Sequence, residues 1–269
     1  MKTTRKAAVI GWPVEHSKSP VMMNAAFAAA GIDAEMVALG VPPGELAHAI
    51  NELRTTAMLG ASITIPHKIH AHQLCHDRDA AAVATGAVNC LELRGEHIIG
   101  HNTDAAGFVD ALRGAGFEPR GTRVVILGSG GAARAVAHGV NAEGAHYEVF
   151  SRSPATWTPP RTLAELGPAF AQADLVVDCT PTGLDPALDA ELVAILPLAV
   201  LARHAWVATL IYNRRTLLLE RASQAGHSTL DGRALLVHQG ARAFTIWTGK
   251  PAPIEIMTRA LDDSLMKPA

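Results

Sequence analysis

The sequence predicts a two-domain α/β protein, and three observations lead there. Its 269 residues exceed the roughly 150 of one ordinary domain. Short apolar runs of strand type alternate with longer helical patterns along nearly the whole chain, as expected of parallel strands covered by helices. The pattern also changes register at Asp104, which divides the chain into an α/β domain of residues 1–104 plus 238–269 and a second domain, 105–237, inserted within it.

The elements follow in order. Lys6 to Ile10 reads as a strand. Ser19 then caps a helix with Pro20 at its first position, running to Ala30 and stopped by Gly31. Ala34 to Val41 is the next strand, Glu45 to Met58 the next helix, and Ser62 to Ile65 a strand ending at Pro66 before a His-rich helix. Val88–Leu93 and His97–Gly100 form a hairpin turned at Gly95. A helix over about Ala105–Gly114 leads to Arg123–Leu127, an uninterrupted apolar strand of the fully buried kind. Strands at Tyr147–Phe150, Leu175–Asp178 and Trp206–Ile211 continue the alternation, and helices over about Ala234–Thr248 and Pro253–Met266 close it.

Composition narrows the function. With 23 basic and 25 acidic residues and no long basic run, nucleic acid is an unsuitable main partner. Cys75, Cys90 and Cys179 are odd in number and lack CxxC spacing, which suits a reducing compartment. The apolar stretch after Lys2, Arg5 and Lys6 is only Ala7 to Ile10, too short for a signal peptide. Leu192 to Ala202 is interrupted by Pro197 and is too short for a bilayer. A cytoplasmic protein acting on small molecules is expected, with no membrane partner.

Gly128-Ser129-Gly130-Gly131-Ala132-Ala133 follows the buried strand and opens a helix. There the pattern GxGxxA has physical meaning: the first glycine allows the tight turn and the second lets backbone approach a pyrophosphate. The small Ala133 lets helix pack on strand. A Rossmann-type dinucleotide site is expected; glycines that merely shape the turn are the alternative. An NAD site places an acid at the end of the next strand, yet none occurs between Glu148 and Glu165. Arg152 offers a fork for a 2′-phosphate instead, which favours NADP over NAD, unless it is an ordinary solvated arginine.

Two hydroxyls, Ser17 and Ser19, stand near a helix start, where they suit a substrate carboxylate or serve as plain caps. Lys68 lies just past a strand end and Asp104 where the chain enters the second domain. Such a pair can do acid/base work, the carboxylate holding the ammonium while the ammonium exchanges a proton with a substrate oxygen. The sequence does not show that the two meet.

Several motifs in fixed order make the chain resemble the shikimate dehydrogenase family along nearly its whole length. They are Ser17-Lys18-Ser19-Pro20, Thr64-Ile65-Pro66-His67-Lys68, Gly86-Ala87-Val88-Asn89 and Asn102-Thr103-Asp104-Ala105-Ala106-Gly107-Phe108. The glycine cluster follows, then Cys179-Thr180-Pro181-Thr182-Gly183, Ile211-Tyr212-Asn213, and His238-Gln239-Gly240-Ala241 through Trp247-Thr248-Gly249. The resemblance implies an N-terminal substrate-binding domain and a Rossmann-type NADP-binding domain. It implies reversible hydride transfer between NADP(H) and the shikimate/3-dehydroshikimate pair, a reaction of aromatic amino acid biosynthesis, by a monomer or homodimer. By the same resemblance Lys68 and Asp104 are the catalytic pair, and Ser17, Ser19 and Tyr212 bind the substrate carboxylate. Thr64, Asn89 and Gln239 contact the ring hydroxyls, while Gly128, Gly130, Gly131, Ala132 and Arg152 form the NADP site with Thr180 and Gly183 beside it.

The chain departs from the usual family pattern at Ser62, Ser151, Asp178, Thr209, Arg214 and Leu235, and Pro154-Ala155-Thr156-Trp157 lacks a second basic residue. The departures loosen the NADP preference and the choice among shikimate, quinate and an aminoshikimate. They leave the catalytic pair intact. A non-catalytic ligand sensor on the same fold is the reading from another class, and retention of Lys68 and Asp104 speaks against it. His67, His70, His72, Cys75 and His76 crowd one helix, with chelating spacing at His72, Cys75 and His76. A polar helix facing solvent explains them as well, and no metal is expected.

Overall fold

A computed structural model describes residues 4–54, 58–152, 161 and 165–266. They form two compact units, residues 1–107 with 236–269 and residues 108–235.

The first unit is built on a sheet of order β2-β1-β3-β5-β6-β4. Its strands are β1 (Arg5–Gly11), β2 (Ala34–Gly40), β3 (Met58–Ile63), β4 (Asp77–Arg78), β5 (Cys90–Arg94) and β6 (His97–His101). β1 shows why the chain needs helices on both faces. Ala7 and Val9 join one core with Phe27 of helix α1 (Ser19–Ala29), while Ala8 and Ile10 join the opposite core with Leu46 and Ile50 of helix α2 (Leu46–Arg54).

Here the sheet is mixed, not parallel throughout. The hairpin at Gly95 makes β5 antiparallel to β6, and β5 also pairs antiparallel with β3. β1 has β2 on one side and β3 on the other, so the chain reverses its direction of winding at the carboxyl end of β1. Helix α3 (Lys68–Leu74) follows β3, and α4 (Ala80–Thr85) precedes β5. Helix α5 (Thr103–Gly114) leads out of β6.

Sequence and structure differ at some ends. Ser19 is the first helical residue of α1, not its cap. Lys18 holds the cap position, and the Ser17 hydroxyl accepts the Ser19 N–H at 3.3 Å. The stop at Gly31 follows from its left-handed φ of 63°, which lets Ile32 donate to the Phe27 carbonyl and Gly31 to that of Ala28. α2 ends at Arg54 rather than Met58, since Met58 already pairs with Lys6.

The second unit has an all-parallel sheet of order β11-β10-β9-β7-β8. It comprises β7 (Arg123–Leu127), β8 (His146–Phe150), β9 (Leu175–Asp178), β10 (Trp206–Thr209) and β11 (Ser228–Leu230). Val125 and Leu127 enter the core with Phe150 and Phe170, whereas Val124 and Ile126 enter the core with Val136 and Val140. Two buried faces explain the unbroken apolar run of β7. Helices α6 (Gly131–Ala142), α7 (Leu166–Ala171), α8 (Pro186–Ile195) and α9 (Leu217–Gln224) cover the sheet. Helix α10 (Gly232–Thr248) returns the chain to the first unit, where α11 (Ile254–Met266) packs on α1. Among the described residues no helix is long and apolar enough to cross a membrane.

Candidate active site

In the first unit the predicted groups gather where strand direction dictates. Ser17 and Ser19 follow the carboxyl end of β1, and Thr64 and Lys68 that of β3. β5 runs antiparallel to β3, so its start lies at the same sheet edge: the Ile63 N–H donates to the Asn89 carbonyl at 2.7 Å. β6 then returns the chain to that edge, with His101 opposite Cys90, and Asp104 follows in the first turn of α5. Lys68 and Asp104, separated by 36 positions, meet there. Lys68 Nζ donates to Asp104 Oδ2 at 2.6 Å, and both side chains are largely buried, 22% and 14% exposed.

Asn89 is the hub of this arrangement. Its Nδ2 donates to Asp104 Oδ1 at 2.8 Å and to Thr103 Oγ1 at 2.9 Å, and its Oδ1 accepts the Thr103 N–H at 2.7 Å. Both Asp104 oxygens are therefore held, one by an ammonium and one by a buried amide, which fixes the carboxylate plane. Gln239 of α10 reaches the same amide, its Oε1 lying 3.4 Å from Asn89 Nδ2, while its own Nε2 donates to the Leu236 carbonyl. Thr103 and Asn102 were missed as individual residues by sequence reasoning. Asn102 accepts the Ala105 N–H at the start of α5 and donates to Thr85 Oγ1 and the Ala87 carbonyl. Their signal was available, a run of capping residues ahead of a helix.

His101 prepares the turn into this segment. It sits between Asp79 Oδ2 at 3.3 Å and Glu92 Oε2 at 3.1 Å, and hydrogen bonding to Asp79 holds its pKa above the ordinary imidazole value despite burial. Of the residues that suggested chelation, His67, His76 and Cys75 have other partners. His67 Nε2 contacts the Val41 carbonyl, His76 Nδ1 accepts the Ile98 N–H, and Cys75 Sγ donates to the Ala71 carbonyl. Among the described residues no group of three potential ligands is placed to hold a metal ion.

The second unit carries the remaining predicted residues. Its winding reverses at β7, flanked by β8 and β9, and the glycine cluster lies at the carboxyl end of β7. Gly128 has φ 101°, open to glycine at no strain, and its N–H donates to the Phe150 carbonyl. A Cβ on Gly130 or Gly131 would meet nothing within 4 Å, and Gly130 caps α6 without a side-chain bond. The start of α6 is thus uncrowded, and a glycine turn at a helix N-terminus fits a dinucleotide pyrophosphate. Ala132 is in that turn, and Ala133 is fully buried against the sheet. Arg152 is exposed two residues beyond β8. The segment Pro154–Trp157 lies outside the described residues.

Thr180 and Gly183 follow β9, on the other side of β7, where a Cβ on Gly128 would lie 3.2 Å from Thr180 Cγ2. Tyr212 is half-buried after β10, in the second unit. Leu235 packs on the core of that unit.

Asp178, at the end of β9, is 1% exposed. Its Oδ1 accepts the Thr180 N–H at 2.9 Å and the Thr180 hydroxyl at 2.6 Å, while Oδ2 finds no partner among the described residues. Burial drives its pKa up to about 6 against these bonds, with the nearby charge of Asp189 adding to the rise. In the unfolded chain this carboxyl ionises first. The folded state is therefore penalised as pH climbs from about 4 to about 6, by about 3 kcal/mol in full at higher pH. Asp178→Asn is expected to raise Tm at pH 8 more than at pH 4.5. Equal shifts at the two pH values would count against a buried charge there.

Known proteins match the chain along nearly its whole length, and two family models match parts of it. Residues 9–91 match a family model described as shikimate dehydrogenase substrate binding domain, and residues 232–261 one described as shikimate 5′-dehydrogenase C-terminal domain. A shikimate dehydrogenase (NADP(+)) of Methanopyrus kandleri is 38% identical, the match spanning 97% of this chain and 96% of that protein. A crystal structure of shikimate 5-dehydrogenase from Thermus thermophilus with NADP(H) and shikimate superposes with a TM-score of 0.88 at 31% identity, covering 97% and 99% of the two chains. The ligand-free 5-ketofructose reductase of a Gluconobacter strain shares the fold at a TM-score of 0.83 and 26% identity, covering 98% of this chain and all of that one.

Proposed function

The chain belongs to the shikimate dehydrogenase family, and from that premise we propose that it interconverts 3-dehydroshikimate and shikimate with NADP(H), a step of aromatic amino acid biosynthesis. The observation that carries the reading is the 2.6 Å pairing of Lys68 with Asp104, whose second oxygen is held by Asn89. The cofactor supplies or accepts the hydride. The chain has to place one carbinol carbon and move one proton.

Lys68 Nζ carries three hydrogens and Asp104 takes one, so donors remain for the oxygen of the reacting alcohol. In reduction the ammonium gives its proton to that oxygen; in oxidation the amine takes it back. Asp104 keeps the nitrogen in place and balances its charge. Ser17 and Ser19 are assigned the ring carboxylate, with Tyr212 as a further contact, and Thr64, Asn89 and Gln239 the ring hydroxyls. Gly128, Gly130, Gly131 and Ala132 are assigned the pyrophosphate, Arg152 the 2′-phosphate, and Thr180 and Gly183 the neighbouring part of the cofactor. Residues 1–107 with 236–269 make up the substrate domain and 108–235 the NADP domain. The partners we assign are these small molecules, with a monomer or homodimer in the cytoplasm as the working form.

The test is a turnover matrix of shikimate, quinate and an aminoshikimate against NADP and NAD, with 5-ketofructose reduction as a further arm. Shikimate with NADP is expected to give the highest kcat/KM. Preference for another substrate would move the chain to a different specificity, and no turnover would favour a sensor. Arg152→Ala is expected to raise KM for NADP roughly tenfold or more, the effect of losing a hydrogen bond to a charge, and to leave KM for NAD nearly unchanged. Equal effects on both would remove Arg152 from 2′-phosphate recognition.

A further inference from the structure

Residues 179–184, in the connection from β9 to α8, are pinned from beneath at both ends. At its start Asp178 Oδ1 takes both the N–H and the hydroxyl of Thr180, and the Thr180 hydroxyl in turn pairs with that of Thr182 at 2.7 Å. At its end Arg214 Nη1 donates to the Gly183 carbonyl at 2.9 Å, with its Nη2 3.5 Å from Asp189. Asp189 is fully buried, and its Oδ2 also accepts the Leu217 N–H at the start of α9. The segment is also closely packed at Gly183 and against Gly128. A Cβ on Gly183 would lie 2.8 Å from Thr216 Cγ2, and one on Gly128 3.3 Å from the Cys179 carbonyl carbon.

We propose that Asp178 and Arg214 are positioning residues for cofactor binding, holding residues 179–184 against the first glycine of the cofactor loop. A buried carboxylate oxygen with no donor is an expensive feature for a strand end, and the chain keeps it where two Thr180 bonds depend on its partner oxygen. Two bonds to one oxygen fix both the backbone and the side chain of Thr180, which gives the latch its stiffness. The proposal rests on the NADP reading given above, and its test separates the two.

Amide hydrogen exchange of residues 179–184 and the Kd for NADP by calorimetry are measured on the full chain for wild type, Asp178→Ala, Asp178→Asn and Arg214→Ala. In Asp178→Ala the exchange of Thr180 and Thr182 is expected to rise at least tenfold, and Kd for NADP to rise roughly tenfold, with Kd for shikimate within about twofold. Asp178→Asn keeps an acceptor oxygen and is expected to recover most of both losses. Arg214→Ala is expected to quicken exchange at Leu184 and weaken NADP several-fold. Should Asp178→Ala fail to fold by circular dichroism, Thr180→Val removes the hydroxyl bond at nearly constant shape and is expected to weaken NADP about threefold. Unchanged exchange, or quicker exchange with unchanged NADP affinity, overturns the proposal. Wild type that binds no NADP overturns the cofactor reading instead, and the exchange data still report whether the latch exists.

Discussion

Replacing Lys68 by alanine is expected to lower kcat by roughly 10²–10⁴-fold, the range for losing a positioned acid/base group, with KM for shikimate changed far less. The geometry gives the reason. The ammonium has one fixed partner, Asp104, at 2.6 Å, and Asp104 is clamped by Asn89, so the nitrogen sits at one place near the carboxyl ends of β1 and β3. Alanine removes the only group that we assign to proton transfer and leaves the fold's cores untouched. Lys68→Arg is a sharper version: it keeps the ion pair but cannot release a proton near neutral pH, and it should be nearly as slow. A Lys68→Ala protein that keeps more than a tenth of wild-type kcat would take Lys68 out of that role. Steady-state rates in both directions, with thermal melts as control, decide the matter.

The other large effect expected is at Gly107, where a single methyl group should both destabilise the protein and disturb the site. A Cβ there would stand 2.7 Å from the Gln239 backbone nitrogen and 2.8 Å from its Cα. Those are main-chain atoms of α10, and they cannot turn aside as a flexible side-chain tip can. Overpacking of this kind typically destabilises by about 1–3 kcal/mol, and here the strain falls on the residue whose Oε1 lies against Asn89. Gly107→Ala should therefore lower Tm by several degrees and raise KM for shikimate while leaving Kd for NADP near its original value. A variant with unaltered melting and kinetics would show that α5 and α10 separate freely at this point.

Much of the fold was legible because period and punctuation agree. The β1 and β7 runs, the Gly31 stop and the Gly95 hairpin are each dictated by short-range chemistry. Less visible was the antiparallel pairing of β5 with β3, which brings the start of the hairpin, and so Asn89, to the end of β3. The residue types of the site were readable, but the meeting of Lys68 with Asp104 depends on tertiary pairing. Local sequence likewise gave the serines beside α1 without their geometry, since capping by Ser19 and capping by Lys18 differ by one position. Asp178 stood out only as a departure from a pattern. Asp189 had no signal at all, because an acid in the first turn of a helix ordinarily faces solvent, whereas here it is sealed beneath α9 and Arg214.

Helix α11 packs on α1, and Met257 and Leu261 share a core with Met22 and Phe27. The unit that contains residues 1–107 is thus completed by residues 236–269, while residues 108–235 form a contiguous unit with cores of their own. During synthesis the central stretch has all its partners once residue 235 has emerged. The amino-terminal stretch must wait until Met257 and Leu261 have emerged, with one side of the core around Met22 and Phe27 uncovered. The birth order of the two halves is therefore inverted relative to their order in the message, and the window of greatest vulnerability to aggregation belongs to the half that carries the acid/base pair.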